Sequence, residues 1–260
     1  MIYGSLFSGI GGFDLGLDRA GMQCAWQVEI DDFATMVLEK HWPGVPKFRD
    51  IRNCGAHNLT PVDVVCGGFP CQGISAANPK GLGLRDERSG LWSEYARIIC
   101  EIKPRWVVVE NVVRLLSINN GRDFGTVLAD LAANGYDAEW DCVPAYYGGS
   151  PQLRDRIFLV AYNDLSWRQG HRRGNGIRRR FWGQGKVETI GRTGIVPENV
   201  VAITKSRMGG VVNGIPRRVD ADRLFGIGNA VIPQIAEWIG RRIIEIENEV
   251  QQEGVNTNTD

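Results

Sequence analysis

The sequence predicts an α/β fold built on an open sheet, and three observations predict it. Apolar runs of strand length alternate with amphipathic segments of helix length along the 260 residues. The first run, Ile2 to Phe7, empties into a glycine-rich turn, Ser8-Gly9-Ile10-Gly11-Gly12, ahead of a helical segment. A later run, Val62-Asp63-Val64-Val65-Cys66, is stopped by Gly67-Gly68-Phe69-Pro70, which delivers Cys71 to the sheet edge. The carboxyl ends of the strands in an open α/β sheet are where ligands and chemistry sit. A thiol on a stiff turn there is placed to act as a nucleophile where its surroundings favour the thiolate. A buried structural cysteine is the competing reading.

The length suits one α/β domain with an insert, or a domain and a half. The apolar fraction of 43% is ordinary, and no apolar run reaches the ~18 residues of a membrane span. The opening Met1-Ile2-Tyr3-Gly4 lacks the basic stretch and apolar core of a signal peptide. A cytoplasmic location is therefore expected. Six cysteines, at 24, 54, 66, 71, 100 and 142, form no Cys-x-x-Cys pair, and the three histidines form no His-Glu-x-x-His. A reduced protein without a metal site is expected. Net charge is zero, yet residues 163–218 hold twelve Lys/Arg against three Asp/Glu, a net of +9 that leaves −9 elsewhere. That asymmetry points to a nucleic-acid partner gripped mainly by the basic segment.

Glycines after the first strand let the backbone approach a ligand at a helix amino terminus. NAD proteins use a similar turn, but Asp14 stands where a Gly-x-Gly-x-x-Gly pattern needs its last glycine. The next strand, Cys24 to Val28, ends in Glu29, an acid suited to the ribose of either NAD or S-adenosylmethionine. Asp31 caps a helix reaching to about His41, with Phe33, Met36, Val37 and Lys40 at helical spacing. Val45 to Phe48 is a short extended piece that brings Asp50 to a strand end. A carboxylate there accepts an adenine amino group or simply faces solvent.

Beyond Cys71, Asn78 to Ser89 is polar and glycine-rich, and is expected to be a mobile loop that closes over a substrate. A helix from Leu91-Trp92 to about Ile102 breaks at Lys103-Pro104. Arg105 to Val109 reads as a central strand ending in Glu110-Asn111-Val112. A glutamate at the carboxyl end of an apolar strand is poised for chemistry, and burial there raises its pKa. Gly121 to Asn134 is helical, and Ala138 to Val143 is extended.

In Gln152-x-Arg154-x-Arg156 the two arginines share one face of an extended segment. They hold a phosphate and a base carbonyl, or lie on an exposed edge. Across the basic segment, Trp167, Arg168, His171, Arg172, Arg173, Arg178, Arg179, Arg180, Phe181 and Trp182 interleave cations with aromatics. Such a texture pairs with phosphates and guanine edges and stacks on bases, or is a solvated loop. Finally, Gly228-Asn229-Ala230-Val231 leads into a helix whose stripe of Ile235, Trp238, Ile239, Ile243 and Ile246 packs on the body. The chain then divides into a catalytic and cofactor-binding part (1–162), a small basic target-recognition region (163–218), a returning C-terminal helix (219–250) and a frayed tail (251–260).

Phe7-Ser8-Gly9-Ile10-Gly11-Gly12, Glu29, Asp50, Pro70-Cys71-Gln72, Glu110-Asn111-Val112, Gln152-x-Arg154-x-Arg156 and Gly228-Asn229-Ala230-Val231 resemble the successive motifs of the cytosine-C5 DNA methyltransferases. The matches follow family order over most of the chain. The resemblance implies a class I S-adenosylmethionine-dependent methyltransferase fold: a Rossmann-like, mostly parallel sheet with helices on both faces, plus a small target-recognition insert. It implies that the terminal helix folds back beside the first motif. It also implies methyl transfer from S-adenosylmethionine to C5 of a cytosine flipped out of double-stranded DNA.

In that scheme Cys71 adds to C6, Glu110 hydrogen-bonds or protonates N3, and Arg156 with Arg154 holds the base carbonyl. Phe7, Gly9 and Gly11 are assigned to the amino-acid moiety of the cofactor, Glu29 to its ribose, and Asp50 and Ile51 to its adenine. Pro70, Leu91, Asn229 and Val231 complete the pocket. Gln72, Ser75, Arg172, Arg173, Arg178, Arg179 and Arg180 are the expected DNA contacts. A cognate restriction endonuclease acting on the same site is an expected, unbound partner, and the compact size suggests a phage or prophage origin.

The sequence departs from the family in its short recognition segment, about fifty residues, and in lacking the usual Arg/Glu-bearing helix between Arg207 and Arg223. Competing readings are an RNA cytosine methyltransferase and a DNA-binding protein with an inactive methyltransferase body. An NAD oxidoreductase leaves Pro-Cys-Gln and the arginine pair unexplained.

Overall fold

A computed structural model of the chain describes residues 1–70, 84, 91–148, 154–163, 181–182 and 229–256. Seven strands form one sheet: β1 (Ile2–Leu6), β2 (Gln23–Val28), β3 (Lys47–Phe48), β4 (Val64–Gly67), β5 (Trp106–Val112), β6 (Asp137–Pro144) and β7 (Asp155–Tyr162). Their spatial order is β3-β2-β1-β4-β5-β7-β6. The first five run parallel, and β7 lies antiparallel between β5 and β6. This is the mostly parallel α/β sheet expected from the sequence.

Alternation along the strands feeds two cores, because successive side chains point to opposite faces. Val107 and Val109 of β5 join Leu6, Trp26 and Val65 on one face. Trp106 and Val108 join Tyr3, Cys66 and Phe158 on the other. Helices α3 (Trp92–Ile102) and α4 (Arg122–Ala133) cover the first face, through Tyr95, Ile98, Phe124 and Val127. Helices α1 (Gly12–Arg19) and α5 (Pro233–Asn256) cover the second, through Phe13, Leu17, Ile235 and Ile239.

Three glycines let α5 close on α1. A Cβ on Gly16 would sit 2.4 Å from the Pro233 carbonyl oxygen, and one on Gly12 would sit 2.3 Å from that of Val231. A Cβ on Gly240 would meet Ala20 at 2.8 Å. The terminal helix therefore lies against the glycine-rich turn, and it extends past the 250 limit expected for it, to Asn256. Its far end is held by Glu247, whose carboxylate accepts from Trp106 Nε1 at 2.7 Å and from Arg105.

Helix α2 (Asp32–His41) is capped as expected, the Asp31 carboxylate accepting from Ala34 N at 2.8 Å. Its inward face differs from the expected stripe. Ala34, Thr35 and Leu38 are buried, whereas Met36 is 60% exposed. Both stripes obey helical spacing; the smaller side chains face in because Leu38 and Trp42 pack directly against Gly11. No helix among the described residues is long and apolar enough to cross a membrane.

Candidate active site

Strand order reverses between β1 and β4, the place where an open α/β sheet forms its crevice. The register aligns Leu6 with Gly67 and Gly67 with Val109, so Phe7, Gly68 and Glu110 emerge side by side. They open into a cleft of about 550 Å³, a size suited to a nucleotide-like ligand. Phe7, Gly9, Glu29, Asp50, Ile51, Pro70, Leu91, Asn229 and Val231 all line it, with Glu110 and Arg156.

Gly11, also expected to touch the ligand, does not line the cleft. It is a left-handed residue (φ 86°) just before α1, and a Cβ there would strike the Trp42 ring at 2.5 Å. Gly9 has φ 55° with open space where its Cβ would be, so its bare backbone faces the cleft. The Glu29 carboxylate accepts from Gly9 N through one oxygen and from Asp31 N through the other, each at 2.7 Å. Burial raises its pKa against those two bonds. Each oxygen keeps a further lone-pair site for a ligand hydroxyl.

Asp50 caps a short 3₁₀ turn, Ile51–Asn53, and is clasped by the Arg52 guanidinium at 2.8 Å. Its bonds to the Arg52 side chain and backbone hold its pKa below the usual carboxylate range. Arg49, not singled out from the sequence, braces this wall. It donates to Thr35 Oγ1 at 2.6 Å and also to the Ile30 carbonyl and Asp32.

Glu110 is only 8% exposed. Its Oε1 lies 2.8 Å from Arg156 Nε, and a Cβ on Gly68 would come within 2.6 Å of Oε2. A side chain at residue 68 would therefore displace this carboxylate. Burial pushes the Glu110 pKa up, while the guanidinium groups of Arg156 and Arg154 act in the opposite direction. Asn111 Nδ2 donates to the Phe69 carbonyl at 3.1 Å, pinning the turn that leads through Pro70 to Cys71. Cys71, Gln72 and Ser75 themselves lie outside the described residues.

Arg154 and Arg156 flank Glu110 from one side, as the extended spacing implies. They do different things. Arg156 pairs with Glu110, whereas Arg154 donates to the Ala230 carbonyl and so ties the arginine segment to the Asn229–Val231 wall.

Arg172, Arg173, Arg178, Arg179 and Arg180 also fall outside the described residues. Phe181 and Trp182 do not, and they correct the expectation that they stack on bases. They are 1% and 7% exposed. Phe181 packs on Trp106 and Trp238, Trp182 stacks on Trp238, and the Phe181 N–H donates to the Glu139 carboxylate at 3.0 Å. Trp106 begins β5, four residues before Glu110, which puts it roughly 13 Å away toward the opposite edge of the sheet. Asn163, bonded to the Arg105 carbonyl, sits at that same edge.

Residues 1–208 match the profile of the C-5 cytosine-specific DNA methylase family. The chain is 34% identical over 164 residues to the Type II methyltransferase M.Bsp6I of Bacillus sp. (strain RFL6), covering 62% of this chain and 52% of the relative. It is 36% identical over 159 residues to M.NgoBI of Neisseria gonorrhoeae, covering 61% and 50%. The chain thus spans about half the length of the curated relatives it matches.

Among solved structures, a putative DNA modification methyltransferase encoded within an E. coli prophage aligns with a TM-score of 0.54 at 27% identity, over 65% of this chain and 49% of that one. Spodoptera frugiperda DNMT2 shares the fold, with a TM-score of 0.51 at 21% identity over 66% and 53%. With a family profile spanning most of its length and this cleft at the expected sheet edge, the chain belongs to the C-5 cytosine-specific DNA methylase family.

Proposed function

We propose that this chain transfers a methyl group from S-adenosylmethionine to C5 of a cytosine flipped out of double-stranded DNA, through a covalent bond from Cys71 to C6. The observation that carries this reading is the buried Glu110 carboxyl. It is 2.8 Å from Arg156 and packed on Gly68, three residues before Cys71, in the same cleft as Gly9 and Glu29.

Cytosine C5 is a poor nucleophile until a thiolate adds at C6 and pushes electron density toward C5. Glu110 holds a proton at N3, which draws electrons from the ring and lets C6 accept the Cys71 sulfur. Arg156, with Arg154 behind it, holds the base carbonyl and offsets developing charge. The bound cofactor supplies an electrophilic methyl on a sulfonium. A base then takes the C5 proton, the C5–C6 double bond re-forms, and the Cys71 sulfur leaves as thiolate.

Glu29 holds the ribose hydroxyls, Asp50 and Ile51 the adenine, and Phe7 and Gly9 the amino-acid moiety. Pro70, Leu91, Asn229 and Val231 form the remaining wall. The cleft volume and the open Gly9 backbone fit such a ligand. Residues 1–162 and helix α5 carry this chemistry, and 163–218 carries DNA recognition, with Gln72 and Ser75 contributing from the Cys71 segment. The Type II methyltransferase relatives support a role beside a cognate restriction endonuclease that acts on the same site.

The test gives duplex DNA and tRNA side by side with methyl-labelled cofactor. Label entering cytosine in DNA, and its loss in Cys71→Ser, are expected. Label in tRNA alone, or full activity of Cys71→Ser, overturns the proposal.

A further inference from the structure

The two carboxylates at the adenosine end of the cleft, Glu29 and Asp50, stand on different segments. Glu29 follows β2, and Asp50 follows β3, a two-residue strand that pairs with β2 through Lys47 and Phe48. The bond from Glu29 N to the Phe48 carbonyl, at 2.9 Å, extends that ladder by one step. A ladder this short sets the direction of the edge strand but leaves the chain beyond it to be held by side chains.

Arg49, the next residue, supplies that hold. Its Nη1 donates to Thr35 Oγ1 at 2.6 Å, and its Nη2 donates to the Ile30 carbonyl and the Asp32 carboxylate. Thr35 Oγ1 in turn donates to the Asp31 carbonyl at 2.7 Å. One planar guanidinium thus fastens three points of the β2–α2 connection to the residue beside Asp50. The three contacts differ in weight. The Asp32 side chain is 93% exposed, so that ion pair contributes little. Thr35 is buried, so its hydroxyl is an acceptor shielded from water. Ile30 and Asp31 line the cleft, whereas Thr35 and Asp32 lie outside it.

We propose that Arg49 is a positioning residue for the adenosine end of the cofactor. It holds the β2–α2 connection at a fixed distance from Asp50 and Ile51, so the cleft meets its ligand already formed. Preorganisation of this kind appears as affinity, because the ligand no longer has to order the wall it binds. This rests on the cleft taking S-adenosylmethionine. Glu110 and Arg156 lie on β5 and β7, beyond β1 and β4 from this wall, so the loss of Arg49 acts on cofactor binding and not on the chemical step.

The test combines calorimetry of the full chain with S-adenosylhomocysteine and with adenosine, methyl-transfer kinetics, and amide hydrogen exchange without ligand. In Arg49→Ala both dissociation constants should rise by about tenfold, and KM for S-adenosylmethionine should rise with them while kcat holds. Exchange at the Glu29 amide should quicken, with Val65 and Val108 as before. Thr35→Val, which removes an acceptor outside the cleft, should weaken both ligands by about threefold or more. Asp32→Ala should change them by less than about twofold. Arg49→Lys, with one donor head for three acceptors, should fall between Arg49→Ala and the unaltered protein. Equal binding by Arg49→Ala and the unaltered protein overturns the proposal. Weaker binding in Arg49→Ala, with Glu29 exchange and Thr35→Val binding both unchanged, makes Arg49 a direct ligand contact and overturns its positioning role. An unaltered protein that binds neither ligand overturns the cofactor reading itself, and the proposal with it.

Discussion

Replacing Glu110 with glutamine removes an ionisable group while keeping its length and one carbonyl acceptor for Arg156 Nε, now 2.8 Å away. Two opposing effects set the stability change. Burial has raised the Glu110 pKa, so the amide relieves a desolvated charge. It also takes the counter-charge from Arg156, and breaking a fully buried pair costs about 3–5 kcal/mol. The Arg156 side chain is 20% exposed and keeps a hydrogen bond to the amide oxygen, so the net change should stay within about 2 kcal/mol. Catalysis should suffer more. An acid at N3 contributes about 10²- to 10⁴-fold, equivalent to roughly 3–5 kcal/mol of barrier.

Single-turnover methyl transfer, with urea unfolding in parallel, separates the two effects. The pH dependence follows from the sign of the shift. A raised pKa lets folded Glu110 keep its proton above the ordinary carboxylate range, so the rate falls as pH rises through the folded value. Stability follows the same direction: it is greatest below the unfolded pKa and declines as pH rises to the folded one. Glu110→Gln should lose both slopes. A rate loss below about tenfold with stability intact would refute the assignment.

Other substitutions probe the frame around the cleft. Asp14, in the first turn of α1, is fully buried and accepts hydrogen bonds from Ser5 and Gln27, and burial pushes its pKa from 3.8 to about 6. That rise is equivalent to about 3 kcal/mol of stability, present below pH ~4 and lost as pH rises through ~6. Asp14→Asn should remove that dependence in urea titrations, and parallel curves for the two proteins would contradict it. Gly16→Val places atoms inside the Pro233 carbonyl contact, so the melting temperature should fall by the equivalent of about 3 kcal/mol; an unchanged value would deny the close α1–α5 packing. Phe181→Ala and Trp182→Ala should each cost about 3–5 kcal/mol of stability while the folded protein keeps its affinity for DNA. Base-stacking residues would instead lose about 1–3 kcal/mol of DNA affinity with stability unchanged.

Much of this was legible because strand order and site order coincide. A glycine turn after β1, an acid after β2 and a glutamate late in β5 mark strand ends in any open sheet, and the register brings them together. Long-range packing was not legible. Phe181 and Trp182 sit in a run of arginines, and only Trp238 on α5 and Trp106 on β5 reveal them as core. Periodicity showed that α2 has an apolar stripe but not which of two overlapping stripes faces Gly11. Arg154 and Arg156 look equivalent by spacing; their separation into a brace and an ion pair depends on where Ala230 lies.

The central claim is a bond between the Cys71 sulfur and a cytosine ring, and trapping it is the most direct test. Duplex DNA carrying 5-fluorocytosine has no C5 proton to lose, so the adduct should persist once the methyl has moved. The account predicts a denaturant-stable complex that needs S-adenosylmethionine, maps to Cys71 by peptide mass, and is absent in Cys71→Ser. Methylation of ordinary DNA with no trapped complex, or a complex mapping to another cysteine, would contradict it.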